Sequence, residues 1–334
     1  MRRVVRFLVG VTLGGSAFVA YLRFVGVDSV VTRATAIAPW AVPVVVALVV
    51  AEGLADGIGV WASVNPLGDG LSPGQAVQFA LAGDFFDTLS PAGPVSSEPI
   101  MARFIGVTTG TTYSEALGVR GVAKYVKSGS QLLVSTVLAV VLLVGTPSAR
   151  FVAVTLGGSL VGLVAVGGLA VRSRDRISGV LVALLGPVVA RLSSLYRETP
   201  HDRSVVASAL DRFWSRVVRF RDEPELVALV GLGGVLEQLL TAAALWVALA
   251  GTGTPVGLLP IVALIPLPQV ASVVPVPASV GAYDVLLGGA LAVVTGAPAP
   301  ATAAAVVVVR TVSIPFGLSA GGLSAAFLRG WRPR

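Results

Sequence analysis

Hydrophobic positions in this chain run in long blocks rather than in alternating stripes. Apolar blocks occupy roughly 7–25, 38–62, 115–146, 150–171, 227–251 and 300–328. An α-helix needs about 20 residues to cross a hydrocarbon layer about 30 Å thick, so each block predicts one spanning helix. Two further apolar regions, 72–110 and 255–296, are broken by Pro and Gly. Each predicts either two tight crossings or a re-entrant pair of half-helices. Irregular backbone at membrane depth survives only where protein or a water-filled cavity surrounds it, so a site is expected there. The pattern predicts an all-α, polytopic membrane helix bundle of about eight transmembrane segments, forming one integral membrane domain over 1–334.

Between 171 and 227 the pattern changes. This stretch holds ten arginines, at 172, 174, 176, 191, 197, 203, 212, 216, 219 and 221. Within Ser204–Phe220 the residues Val206, Leu210, Phe213, Val217 and Phe220 share one helical face, and Arg212, Arg216 and Arg219 another. That spacing predicts a basic amphipathic connector, 172–226, lying on a membrane surface; a plain solvated connector is the alternative. Positive charge marks the cytoplasmic side. Arg2, Arg3 and Arg6, the connector, and the tail from Arg329 to Arg334 therefore all predict a cytoplasmic location, in a multi-pass protein of the cell membrane. Met1-Arg2-Arg3 and the apolar run after it read as a retained first helix rather than a cleaved signal.

Composition sharpens this picture. Of 334 residues, 55% are hydrophobic and only 12% are charged, with a mean hydropathy of +0.88. A soluble domain carries about 25% charged residues, enough to cover its surface; this chain does not. The 39 Gly suit close approach of membrane helices. With no cysteine and one histidine, His201, thiol chemistry, disulfides and multi-histidine metal centres are excluded. The formal charge of +7 lies beside apolar segments, so it points to anionic lipid headgroups and not to nucleic acid.

An internal repeat organises the charges. Pro91-Ala92 precedes Glu98 as Pro277-Ala278 precedes Asp284, Thr109-Gly110 corresponds to Thr295-Gly296, and Lys124 to Arg310. All share the offset of 186 that separates Glu98 from Asp284. The repeats, about 38–146 and 227–328, start on opposite sides of the membrane by the crossing count. They are therefore inverted, an arrangement that points to a transport site between the halves.

A charge at the bilayer centre costs at least about 2.5–3.5 kcal/mol and is usually paired or functional. The first repeat carries Glu98, Arg103, Glu115, Arg120, Lys124 and Lys127. Arg120, Lys124 and Lys127 fall at i, i+4 and i+7, on one helical face. Such a row repels itself unless something negative meets it. Glu98 and Glu115 could supply part of that charge and a phosphate the rest, since arginine offers a bidentate fork and lysine a point charge. The alternative is that Arg120 snorkels to an interface while the lysines form buried pairs that only fix packing. Asp284 and Arg310 could face each other across a cavity, as a structural or a functional pair. Glu237 reads as a helix–helix hydrogen-bonding residue, with a proton relay as the lesser alternative. Asp84-Phe-Phe-Asp87 has a DxxD spacing, but no second acidic motif completes a metal site, so no metal and no cofactor are expected.

The segment SPAGPVSSEPIMARFIGVTTGTTYSEALGVRGVAKYV resembles the first-half signature of the lysylphosphatidylglycerol synthase transmembrane, or flippase-like, family. The segment VPVPASVGAYDVLLGGALAVVTGAPAPATAAAVVVVRTVSIPFG is similar to its second-half signature. Two departures stand out: Ala123-Lys124 replaces a Glu-Arg pair, and Asp284 replaces a Glu. The resemblance implies a membrane domain that moves lipids or lipid-linked groups between leaflets; some members join it to a soluble aminoacyl- or glycosyltransferase, which is not expected within these 334 residues.

Three functions follow as expectations. In the first the chain is a flippase-like transporter and not an enzyme. Its substrate is an anionic or polyprenyl-phosphate-linked membrane lipid, bound through Glu98, Arg103, Arg120, Lys124, Lys127, Asp284 and Arg310. In the second it is an intramembrane transferase using the same cavity. In the third it is a membrane subunit for a separate glycosyl- or aminoacyltransferase. A cavity open sideways to lipid and free of clustered carboxylates fits the first, carboxylates converging near Asp84 and Asp87 fit the second, and a large groove filled by nothing else leaves the third open.

Overall fold

The computed structural model describes residues 16, 18–89, 94–142, 147–193, 203–268 and 281–331. Arg2, Arg3, Arg6, Pro91, Ala92, Arg197, His201, Pro277, Ala278 and the last three residues, which include Arg332 and Arg334, lie outside these, as does most of the expected first helix. Among the described residues every regular element is helical. In chain order they are α1 (residues 18–25), α2 (Val27–Thr35), α3 (Ala41–Val64), α4 (Pro73–Leu89), α5 (Pro94–Thr109), α6 (Tyr113–Leu142) and α7 (Pro147–Arg172). There follow α8 (Arg174–Ser193), α9 (Arg203–Arg219), α10 (Pro224–Gly251), α11 (Leu258–Leu264), α12 (Ala282–Thr295), α13 (Ala299–Phe316) and, after a π turn at Gly317–Gly321, α14 (Gly322–Ala326). Among the described residues five stretches are long and apolar enough to cross a membrane: α3, α6, Phe151–Arg172 of α7, α10, and the continuous Ala299–Ala326. The protein is a polytopic membrane helix bundle.

Its centre is the pair α3 and α10, which pack more extensively on each other than any other two helices. Glycine makes the approach possible. A Cβ on Gly233 would lie 3.0 Å from the Gly59 nitrogen, and one on Gly251 would lie 2.6 Å from the Ala41 Cβ. Residue 233 thus meets 59 while 251 meets 41, so the two helices are antiparallel. In lipid, close packing of small residues is what holds such a crossing, because apolar side chains gain nothing by leaving the tails.

The repeat is visible in local geometry. Helix α6 starts at Tyr113 and α13 at Ala299, again 186 apart. Just before each start the chain turns through a left-handed glycine, Gly110 at φ 70° and Gly296 at φ 69°, where a side chain would be strained. Thr109 Oγ1 donates to the Ile105 carbonyl and Thr295 Oγ1 to the Leu291 carbonyl, at 2.9 and 2.6 Å. Since α3 and α10 are antiparallel, the two halves enter from opposite faces.

The broken region 72–110 is a helical hairpin. The amide of Asp69, before α4, donates to the carbonyl of Thr109 at the end of α5, so α4 leaves and α5 returns at the same face. Ser72 and Gln75 form a reciprocal cap at the start of α4, satisfying amides that the first helical turn leaves open. Of the second broken region, residues 269–280 lie outside the described chain, and α11 and α12 flank them in mutual contact.

Two apolar plugs close the bundle. One gathers Val64, Leu67, Phe79, Ile105 and Val119 around the first hairpin. The other gathers Val45, Leu245, Leu249, Ile261 and Leu291 around α10, α11 and α12. The amphipathic α9 is part of the bundle. It packs along the start of α6, with the Phe213 carbonyl 2.8 Å from where a Gly118 Cβ would stand. Arg216 joins α6 there through Glu115, at 2.8 Å. The connector also contains α8, which the charge pattern did not announce; Trp214 of α9 donates its indole N–H to Ser178 of α8 at 3.0 Å.

Candidate functional site

Between the two plugs lies a cavity of about 470 Å³, bounded by α3, α4, α6, α10, α12 and α13. A deeper lobe of about 230 Å³ shares Glu52, Gln131, Glu237, Tyr283 and Arg310 with it and adds Gln238. Its depth follows from helix geometry. Lys124 is eleven residues into α6 and Glu98 eleven before the end of α5, which at 1.5 Å per residue is about 16 Å from that face. Arg310 and Asp284 hold the corresponding places in α13 and α12, measured from the opposite face. If the turns at Gly110 and Gly296 mark the two faces of a hydrocarbon layer about 30 Å thick, both pairs lie near its midplane.

The cations do not stand free. Arg120, only 8% exposed, makes a bidentate pair with Glu98: Nε to Oε2 at 2.6 Å and a terminal nitrogen to Oε1 at 2.9 Å. This is the fork geometry at which arginine is strongest, and it shows that Arg120 does not snorkel. Lys124 bridges Asp87 at 3.2 Å and Glu98 at 3.3 Å. The partner expected from the missing Glu at position 123 is thus supplied by α4 and α5. Asp87 also accepts a short hydrogen bond from the Ser97 hydroxyl across the hairpin. Lys127 lies between Asp56 of α3, at 2.7 Å, and Glu237 of α10. Gly234 makes room for it, since a Cβ there would come within 2.8 Å of the Lys127 Cγ.

The second half repeats the first in reduced form. Arg310 pairs with Asp284 at 3.0 Å, as Lys124 pairs with Glu98. Asp284, 3% exposed, also accepts the Gly281 amide at 2.9 Å and so caps α12. The Arg310 guanidinium sits 5.3 Å from the centre of the Tyr283 ring, within cation–π range.

Of the residues singled out from sequence, Arg120, Lys124, Lys127 and Arg310 line the cavity. Glu98 and Asp284 stand behind them as counter-charges. Arg103 is exposed and does not join them, and Glu115 is turned away to Arg216. Asp84 and Asp87 both line the cavity. Glu237 is an ion-pair partner bridging helices through Lys127. Sequence reading passed over Glu52 and Asp56. Their signal was present: two carboxylates at i and i+4, on one face of a helix otherwise apolar enough to span. Among the described residues no three His, Cys, Asp or Glu side chains are grouped to hold a metal ion.

The fold is that of an integral membrane protein, and the family its sequence matches is one of membrane proteins of lipid metabolism or transport. The model of the lysylphosphatidylglycerol synthase transmembrane region matches residues 4–322, and the chain belongs to that family. No curated protein matches it.

Proposed function

We propose that this chain is a flippase-like transporter that carries an anionic or polyprenyl-phosphate-linked lipid headgroup through the central cavity. The observation that supports the reading most is the place of the charges. Two repeat-related ion pairs, Lys124 with Glu98 and Arg310 with Asp284, meet one cavity near the midplane from opposite halves. A purely structural network has no need of a cavity of this size, and inverted repeats commonly hold their cargo at such a place. Arg120, Lys124, Lys127 and Arg310 would exchange part of their carboxylate contacts for the headgroup phosphate. The chain would work as one membrane domain in the cell membrane, with repeats near 38–146 and 227–328. The N-terminus, the 172–226 connector and the C-terminus would be cytoplasmic.

Carboxylates converging on the cavity give a second reading some weight. Glu52, Asp56, Asp84, Asp87 and Glu237 all line it, the pattern expected of an intramembrane transferase working with a separate glycosyl- or aminoacyltransferase. Asp56, Asp87 and Glu237 are each engaged by lysine, which favours transport.

Reconstitution into vesicles with a panel of fluorescent lipids decides between them. The wild type should move at least one anionic lipid between leaflets, and Lys124→Ala and Arg310→Ala should each slow it about tenfold. Unchanged rates in both variants would remove these cations from the path. A wild type that moves no lipid would count against transport altogether.

A further inference from the structure

The network holds more negative than positive groups. Among the described residues its four cations are Arg120, Lys124, Lys127 and Arg310. Facing them are seven carboxylates: Glu98 and Asp284 behind, and Glu52, Asp56, Asp84, Asp87 and Glu237 at the cavity. Five of the seven are in ion pairs. Glu52 of α3 and Asp84 of α4 line the same cavity with no cation partner among the described residues. An anionic headgroup entering here meets an excess of fixed negative charge. It also finds every cation already engaged.

Gln238 gives an independent sign of what is missing. It is 1% exposed and lines the deeper lobe with Glu52 and Glu237. Its Nε2 donates to Ser135 Oγ and to the Val262 carbonyl, both at 2.8 Å. Its Oε1 is buried and has no donor among the described residues. A buried carbonyl oxygen without a donor costs free energy, and ionised carboxylates cannot supply one. A protonated carboxyl can. Gln238 is also the repeat counterpart of Glu52, again 186 residues on, beside the crossing of α3 and α10.

We infer that Glu52 and Asp84 form a proton-binding site coupled to the cavity, each taking up one proton when an anionic headgroup enters and releasing it when the headgroup leaves. The inference rests on the reading of the cavity as a headgroup path. Each step makes one O–H bond with a proton from water on one side and breaks it to water on the other. Protonation removes two of the three excess negative charges. It also turns the Glu52 carboxyl, which lines the same lobe as Gln238, into a hydrogen-bond donor. The groups that set the balance come from every wall. They are Asp56 on α3 itself, Asp87 on α4, Glu98 on α5, and Arg120, Lys124 and Lys127 on α6. The remaining walls present Glu237 on α10, Tyr283 and Asp284 on α12, and Arg310 on α13.

Two measurements test the inference. In vesicles of phosphatidylcholine and phosphatidylglycerol carrying fluorescent phosphatidylglycerol, an imposed pH gradient should change the wild-type rate of lipid movement several-fold. Glu52→Gln combined with Asp84→Asn should move lipid at a rate indifferent to the gradient. Infrared difference spectra of the purified protein between acidic and alkaline buffer should show a protonated-carboxyl band that shrinks in each single variant, whether or not lipid moves. A wild type with that band but no lipid movement would sink the transport reading and leave the proton site standing. Lipid movement with no gradient response and no change of the band in either variant would overturn the proton site, as would a response to a sodium gradient in place of a pH gradient.

Discussion

Arg120 and Glu98 illustrate how much a single buried pair matters in this chain. Both are nearly buried, and each satisfies the other through two bonds. Removing one partner of such a pair leaves a stranded charge and costs about 3–5 kcal/mol. Arg120→Ala should fall at the low end of that range, because Lys124 still reaches Glu98. Pairing Arg120→Met with Glu98→Gln should restore much of the loss. Thermal unfolding of the detergent-solubilised protein reads both. Arg103 makes the opposite case. It is exposed and outside the cavity, so Arg103→Ala should shift stability by under about 0.5 kcal/mol. It should also leave lipid movement unchanged; a large loss of movement would return it to the site.

Residue chemistry was partly legible in the sequence. Charges are rare in so apolar a chain, so Glu98, Lys124, Asp284 and Arg310 stood out, and their common offset related them. Which acid meets which base was not legible. Arg120 and Lys124 share Glu98, while Glu115, the nearer acid in sequence, caps the start of α6 through Thr112 and turns to Arg216. Only tertiary packing sets those partners. Glu52 and Asp56 were hidden because averaging over a long apolar window submerges two acids.

At the scale of elements, the helices meet through glycine, and substitution should show it. Gly234→Val would place a branched side chain where the Lys127 Cγ and backbone now stand, 2.8 to 3.3 Å from a Gly234 Cβ. Overpacking of that kind costs about 1–3 kcal/mol. It should also push Lys127 out from between Asp56 and Glu237, visible as a lower unfolding temperature and slower lipid movement. Helix α9 is held by fewer ties. Arg216→Ala removes its ion pair to Glu115, and hydrogen exchange over 203–219 should rise while α3 and α10 stay protected. Amphipathic spacing in sequence marked α9 correctly as a helix. Spacing could not say that its apolar face would find α6 as well as any membrane surface, because the partner lies about a hundred residues away.

At the scale of the whole molecule, the two halves meet along α6 and α10. Helix α6 packs alongside α10 with Ser130 beside Gly231, and Gln131 donates to the Gly234 carbonyl at 2.9 Å. The two helices therefore run parallel, while α3 runs against α10. The chain has no cysteine, so introduced pairs report without background. A Gly231 Cβ would lie 3.5 Å from the Ser130 Cβ, inside the range a disulfide needs. The double variant Ser130→Cys, Gly231→Cys should crosslink readily in membranes, and failure to do so would contradict the packing of the halves.

The most direct test of the central claim, a wet midplane cavity that receives anionic headgroups, uses one further cysteine. Ser128 of α6 lines the cavity beside Lys124 and Lys127. In vesicles, Ser128→Cys should react with a small water-soluble thiol reagent, and replacing phosphatidylcholine with phosphatidylglycerol should slow that reaction several-fold. A cysteine there that stays unreactive until the protein is denatured, or that reacts equally in both lipids, would contradict it.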